Sequence, residues 1–308
     1  MFKKIPCIYF FAILSALVVT PAQAKPQTFV ASYGNDANPC GRVLPCRLLT
    51  KAMSVTDANG EVVVLDSANY EPITITQSIS ITAPPGIYAG IAALSVGTAG
   101  ITINPGVSNV VLRGLSVNGQ GGANGILMNS NGNLSIENSL ISNFSDAGQH
   151  GVFVNAAASV RMVDTLIRDN NTGIQLQAGA VSDISGSKFL GNSVGILTAS
   201  SSIPFTSTTV SDAIVTGGGT GIEAISSGAG NSARIQIIRS SVTNNLTGIT
   251  SSASGGTAPV TLSESMVTGN AVGYSVGAGG SLVSLVNNTI ADNGSNTGSL
   301  TPLPGGLQ

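Results

Sequence analysis

A single histidine, His150, is found in 308 residues, and the densest run of ionisable side chains lies around it: Asp146, Arg161, Asp164, Arg168, Asp169, Asp183 and Lys188. An imidazole with a carboxylate just upstream and a guanidinium in the next segment is a set that could pass a proton to or from a reacting group. Asp146, His150 and Arg168 are the candidate catalytic residues, because each breaks a pattern that its neighbours obey. Other chemistry has no carrier. There is no Gly-x-Ser-x-Gly elbow, no phosphate-cradling glycine loop, no His-Glu-x-x-His and no Gly-Gly-x-Gly-x-Asp calcium turn. No metal site and no cofactor are expected.

The pattern is a repeat. Leu134–Ser142, Val160–Arg168, Ile235–Thr243, Val260–Thr268 and Val283–Ala291 align residue for residue, each alternating apolar and polar side chains around a short polar turn. The last apolar position of each unit falls at Ile141, Ile167, Phe189, Val215, Val242, Val267 and Ile290, spaced by 26, 22, 26, 27, 25 and 23 residues. A further strand follows, opened by Gly151, Gly173, Gly195, Gly221, Gly248 or Gly273. Alternation is the strand signature. A fixed period of this size marks stacked units that bury their apolar faces only against each other. Three residues past the last apolar position, five of seven residues are Asn (Asn170, Asn192, Asn245, Asn270 and Asn293), the others being Phe144 and Gly218. Their amides predict a hydrogen-bonded ladder inside one corner, and Asn and Gly also accept a left-handed backbone there. The spacing predicts an all-β solenoid, a parallel β-helix with one strand set per turn, over residues 61–293.

Most of the charged residues fit this frame. Asp164 shares a row with Asn138, Asp212, Arg239, Glu264 and Asn287, which reads as a solvated face. Asp169 precedes the turn residue Asn170 as Asp292 precedes Asn293. Arg161 and Asp183 share a row, where an exposed pair is worth only about 0–1 kcal/mol. Ten residues separate Ile141 from Gly151, against six from Ile167 to Gly173, so Asp146 and His150 belong to an extra loop. Arg168 stands in a row otherwise filled by Ser142, Leu190, Thr216, Thr243, Thr268 and Ala291.

Over roughly residues 100–293 the repeat resembles the right-handed, pectate-lyase-like β-helix superfamily of exported bacterial proteins, and the handedness is implied by that resemblance alone. The segments Phe29–Gly41, Pro45–Ala52 and Glu61–Asp66 are similar to the N-terminal cap of such proteins. They imply a strand, a loop, a short helix over Thr50–Val55 and then the first coil. Physically, a cap closes an open core and covers an unpaired strand edge. The cap is expected over residues 25–60, and a tail too polar and too rich in Pro and Gly for another coil over 294–308. Members that cleave acidic polysaccharides hold calcium with several Asp beside a Lys or Arg base, and hydrolytic members pair carboxylates. Calcium enters here only under that reading. Gln149-His150-Gly151 departs from the Gly-His-Gly of polygalacturonases, and their paired-Asp motif is missing.

Lys3, Lys4, the apolar run Ile8–Val19 and the small-x-small end Ala22-Gln23-Ala24 read as a signal peptide over residues 1–24. Cys40 and Cys46, the two cysteines beyond it, are then expected to form a disulfide. The chain is expected to be secreted, periplasmic or at the cell surface, with no membrane insertion after cleavage. Its net charge is −2 without any basic stripe, which argues against nucleic acid. Aromatic residues make up only 4% and Trp is absent, so platforms for sugar rings are scarce. Tyr33, Tyr70, Tyr88 and Tyr274 are expected to pack in the cap or at corners. The expected function is a non-catalytic polar face for an extracellular or cell-envelope partner, a polysaccharide or cell-surface glycan. The alternatives are a polysaccharide lyase or glycoside hydrolase using Asp146, His150 and Arg168, and a passive surface or adhesive protein.

Overall fold

A computed structural model describes residues 25–202, 205–285 and 287–302; the expected signal peptide lies outside them. The chain winds through three parallel sheets in turn, for about nine turns. Sheet 1 has twelve strands, from Gln27–Val30 to Leu300–Pro302, and sheets 2 and 3 have ten each, starting at Ala68–Tyr70 and Ile73–Ile75. One coil shows the plan: Ser159–Val163 in sheet 1, Leu166–Arg168 in sheet 2, Thr172–Gln177 in sheet 3, then Val181–Ser185 back in sheet 1. Parallel strands cannot be joined by a hairpin, so the chain must travel round the other two sheets before it pairs again. The expected all-β parallel β-helix is the observed fold.

Alternation sets the inside. Val160, Met162, Ile167, Ile174 and Leu176 are all less than 5% exposed, while Ser159 and Arg161 face water. Stacking keeps the register: Ile141 pairs with Ile167, and Ile167 with Phe189.

Two corners of each coil are built differently. Between sheets 1 and 2 the exposed residues Asn138, Asp164, Asp212, Arg239 and Glu264 adopt φ of 47–52°, so the solvated row is also the left-handed bend. The next residue is buried, Ser139, Thr165, Ala213, Ser240 or Ser265, as is Ser187 after the left-handed Gly186, and all are 0–6% exposed. Ser240 Oγ donates to Ile238 O (2.8 Å) and accepts the N–H of Ala213 one coil earlier (3.1 Å). Ser139 and Ser187 repeat the arrangement.

Between sheets 2 and 3 the left-handed residue is Asn143, Asp169, Gly191, Gly217, Asn244, Gly269 or Asp292. That is one position before the asparagine row, which sequence reading had merged with it. The asparagines themselves point inward, and Asn170, Asn192, Asn245 and Asn270 are only 2–4% exposed. Asn192 Oδ1 accepts both the side-chain amide (2.9 Å) and the backbone N–H (3.1 Å) of Asn170. Asn270 and Asn293 do the same for Asn245 and Asn270. The glycines that open sheet 3 are required by close approach: a Cβ on Gly173 would stand 2.5 Å from Gly195 O.

The helix Leu49–Val55 lays Leu49, Ala52 and Met53 into the N-terminal end of the core. Cys40 and Cys46 form the expected disulfide, with Cα atoms 4.6 Å apart. Tyr70 and Tyr274 are buried as expected, but Tyr33 and Tyr88 are 69% and 51% exposed. The expected tail also needs correction. Ser295–Thr297 and Leu300–Pro302 pair with sheets 3 and 1, so the solenoid runs past residue 293. Ladder hydrogen bonds use backbone alone, so a polar sequence extends the sheets without filling a core.

Candidate functional site

Five successive strands of sheet 1, Asn109–Arg113, Asn133–Glu137, Ser159–Val163, Val181–Ser185 and Phe205–Ser211, carry a shallow trough of about 540 Å³ on their outer face. Strand pairing lines up Val111, Ser135, Arg161, Asp183 and Thr209 along it. Glu137 closes one side, its side chain only 14% exposed. It accepts hydrogen bonds from Ser135 Oγ (2.8 Å) and Arg113 Nε (2.9 Å), and Arg161 lies 4.0 Å away. The Ser135 hydrogen bond, opposed by burial but reinforced by Arg113 and Arg161, holds the Glu137 carboxyl below the ordinary 4.5. It is therefore an ionised acceptor of fixed orientation. Arg161 reaches towards Glu137, and among the described residues Asp183 makes no ion pair.

The residues gathered around His150 in sequence are spread over the circumference. Arg161 and Asp183 lie on sheet 1, Arg168 and Lys188 on sheet 2, His150 on sheet 3, and Asp164 and Asp169 at the two corners. His150 opens the strand His150–Asn155 and stacks on Phe153, with centroids 4.6 Å apart and planes 14° from parallel. Its Nδ1 and Nε2 lie 3.0 Å from Asn124 Oδ1 and Gln175 Oε1. Gln175 Nε2 donates to Gln177 Oε1, which leaves Gln175 Oε1 to accept from Nε2–H. The other ring nitrogen, Nδ1, faces the Asn124 side-chain amide, and the tautomer sets its role there. Burial, partly offset by the Gln175 hydrogen bond, pushes the imidazole below 6.5.

Asp146 lies in the expected loop, its Oδ2 taken by Gln149 Nε2 (3.2 Å), and Arg168 pairs with Asp169. None of the three candidates bonds another. Glu223, pushed up by burial, is the carboxylate on the outer face of sheet 3. It stands three strands beyond His150 and three residues further along, about 17 Å away at strand spacing. Among the described residues no three Asp, Glu, His or Cys side chains converge as metal ligands, and no helix is long and apolar enough to cross a membrane.

Sequence reading missed Arg113, Ser135 and Glu137. The signal lies in the repeat itself, where Arg113 and Glu137 occupy one row of successive coils.

A family model described as the right handed beta helix region matches residues 54–210 and 95–261. The chain belongs to the right-handed β-helix family. Among solved structures this β-helix is similar to the pectate lyase Pel9A, with 14% identity, a TM-score of 0.60, and coverage of 91% of this chain and 80% of that one. It is also similar to XylC in complex with xylose, with 9% identity, a TM-score of 0.62, and coverage of 85% and 69%. At such identities these likenesses show the fold. No curated protein matches this β-helix in sequence.

Proposed function

We propose that this β-helix binds an extended glycan along the outer face of sheet 1 and does not cleave it. The trough across five stacked strands carries this reading. A polysaccharide offers hydroxyls at regular intervals, and a parallel stack offers side chains at about 4.8 Å intervals. Arg161, its side chain 64% exposed, is a donor; Asp183 and Glu137 are acceptors; and Val181, 49% exposed, meets apolar sugar faces. A Glu137 held ionised by three partners is a poor proton donor, and the one imidazole faces a different side. The likeness to a pectate lyase and a xylose complex supports a carbohydrate ligand, and the sequence of the leader supports export.

Calorimetric titration with uronate polymers and neutral polymers, with and without calcium, tests the reading. Binding is expected to weaken about tenfold or more in Arg161→Ala, the loss of a charge-assisted hydrogen bond. Turnover, seen as new reducing ends or ultraviolet-absorbing unsaturated products and abolished by Asp146→Asn, His150→Gln or Arg168→Gln, would replace it with the lyase or hydrolase reading. Failure to bind any polymer leaves the passive surface protein.

A further inference from the structure

The N-terminal end of the solenoid has a chemistry that the trough does not use. Between Cys40 and Cys46 three consecutive residues, Arg42, Val43 and Leu44, point into water, with Val43 90% and Leu44 53% exposed. The loop is braced at its base. Beside the disulfide, Pro45 O accepts the Asn35 N–H (3.1 Å) and the Asn38 amide (2.9 Å), Cys46 N–H donates to Phe29 O (3.0 Å), and Lys25 Nζ donates to Pro39 O (2.8 Å). Tyr33, 69% exposed, comes just before Gly34, which abuts Cys46 O at the base of the loop.

Charge divides the molecule in the same place. Residues 25–60 carry Lys25, Arg42, Arg47 and Lys51 against Asp36 and Asp57, whereas residues 61–308 carry six cations against twelve acids. Asp36 already accepts the Arg47 and Leu48 N–H groups through Oδ1. One end is basic and apolar-tipped; the body is acidic.

We propose that this braced knob docks the protein end-on to an anionic phospholipid surface. Val43 and Leu44 enter the interface, while Arg42 faces the headgroup phosphates. Aliphatic and aromatic side chains ringed by Lys and Arg are what such interfaces retain. The acidic body is repelled by the same surface, so the long axis points away from it. Nine coils at strand spacing then carry the solenoid about 40 Å outwards. This inference does not depend on what the trough binds.

The chain has no Trp, so Val43→Trp gives a single fluorescent reporter. With vesicles of equal parts phosphatidylcholine and phosphatidylglycerol at low salt, its emission is expected to shift to the blue and the protein to sediment with the vesicles. Both effects should fade as salt is raised. Leu246→Trp, at a site 69% exposed on the body, should not shift. In the otherwise unaltered chain, Arg42→Gln and Leu44→Ser should each reduce sedimentation about fivefold. Arg239→Gln, which removes a body cation paired with Asp212, should not. The proposal is overturned by a silent Val43→Trp reporter on the mixed vesicles, by an equal shift on phosphatidylcholine alone, or by equal loss in Arg239→Gln. A shift that depends on protein concentration without vesicles would mean that a second copy covers the knob, and would overturn it too.

Discussion

The interior of the solenoid changes character half-way along. The second inward row of sheet 3 reads Ile103, Met128, Val154 and Leu176, then Thr198, Ala224 and Ser251. The row facing it on sheet 1 reads Val110, Leu134 and Val160, then Ser182 and Thr208, before Ile235 restores it. In the first half, burial of aliphatic side chains holds the coils together. In the second, aliphatic side chains are joined by buried hydroxyls that bond one another: Thr208 Oγ1 joins Thr198 Oγ1 (2.6 Å) and Ser182 Oγ (3.1 Å). Ser226 Oγ is buried there without a partner. The asparagine ladder also breaks in this region, at Gly218, where a Cβ would stand 2.1 Å from Asn192 O. The backbone ladder crosses this region without a register shift. A solenoid is thus held in shape by its sheets, while its local stability follows whatever fills each coil.

The largest effect should come from the aliphatic half. Ile136→Ala empties a fully buried site and is expected to cost about 2–5 kcal/mol in a denaturant melt. Asn245→Leu strands the Gly218 N–H that its carbonyl accepts, at about 1–3 kcal/mol by the same measurement. Thr208→Val in the polar half should cost about 1 kcal/mol, and the Thr198→Val, Thr208→Val pair little more, because the Thr198 hydroxyl is then no longer stranded. Thr208→Val as damaging as Ile136→Ala would erase the distinction between the halves.

A fourth test uses pH. The folded protein keeps His150 neutral, so the unfolded chain binds the proton first as pH falls through 6.5. Stability is full above that value and declines as pH drops towards the lowered folded value, before Glu137 titrates. His150→Gln should flatten the melting-temperature profile between about pH 7 and pH 5. An unchanged profile would mean that the ring is not held neutral. Least affected should be the outer face of sheet 2, where Thr268→Ala is expected to stay within about 0.5 kcal/mol.

Local pattern was legible from the sequence. The apolar positions Ile141, Ile167, Phe189, Val215, Val242 and Val267 are all buried as their spacing required, the asparagines line the inside of a corner, and the cap helix begins one residue from its expected start. Alternation, turn residues and cysteine spacing act within a few residues, so one coil read in isolation already contains them. The buried hydroxyl row escaped because Ser is among the commonest residues, 39 of 308, and only stacking separates Ser139, Thr165 and Ser187 from the rest. The charged site escaped for a deeper reason. Each coil turns 22–27 residues through three faces, so Asp146, Arg161 and Lys188 are near in sequence yet point in different directions. Arg113, Glu137 and Arg161 are a full turn apart and meet on one face. Periodicity in the sequence determined that there would be coils; which charges share a surface was decided by the winding that sets one coil upon the next.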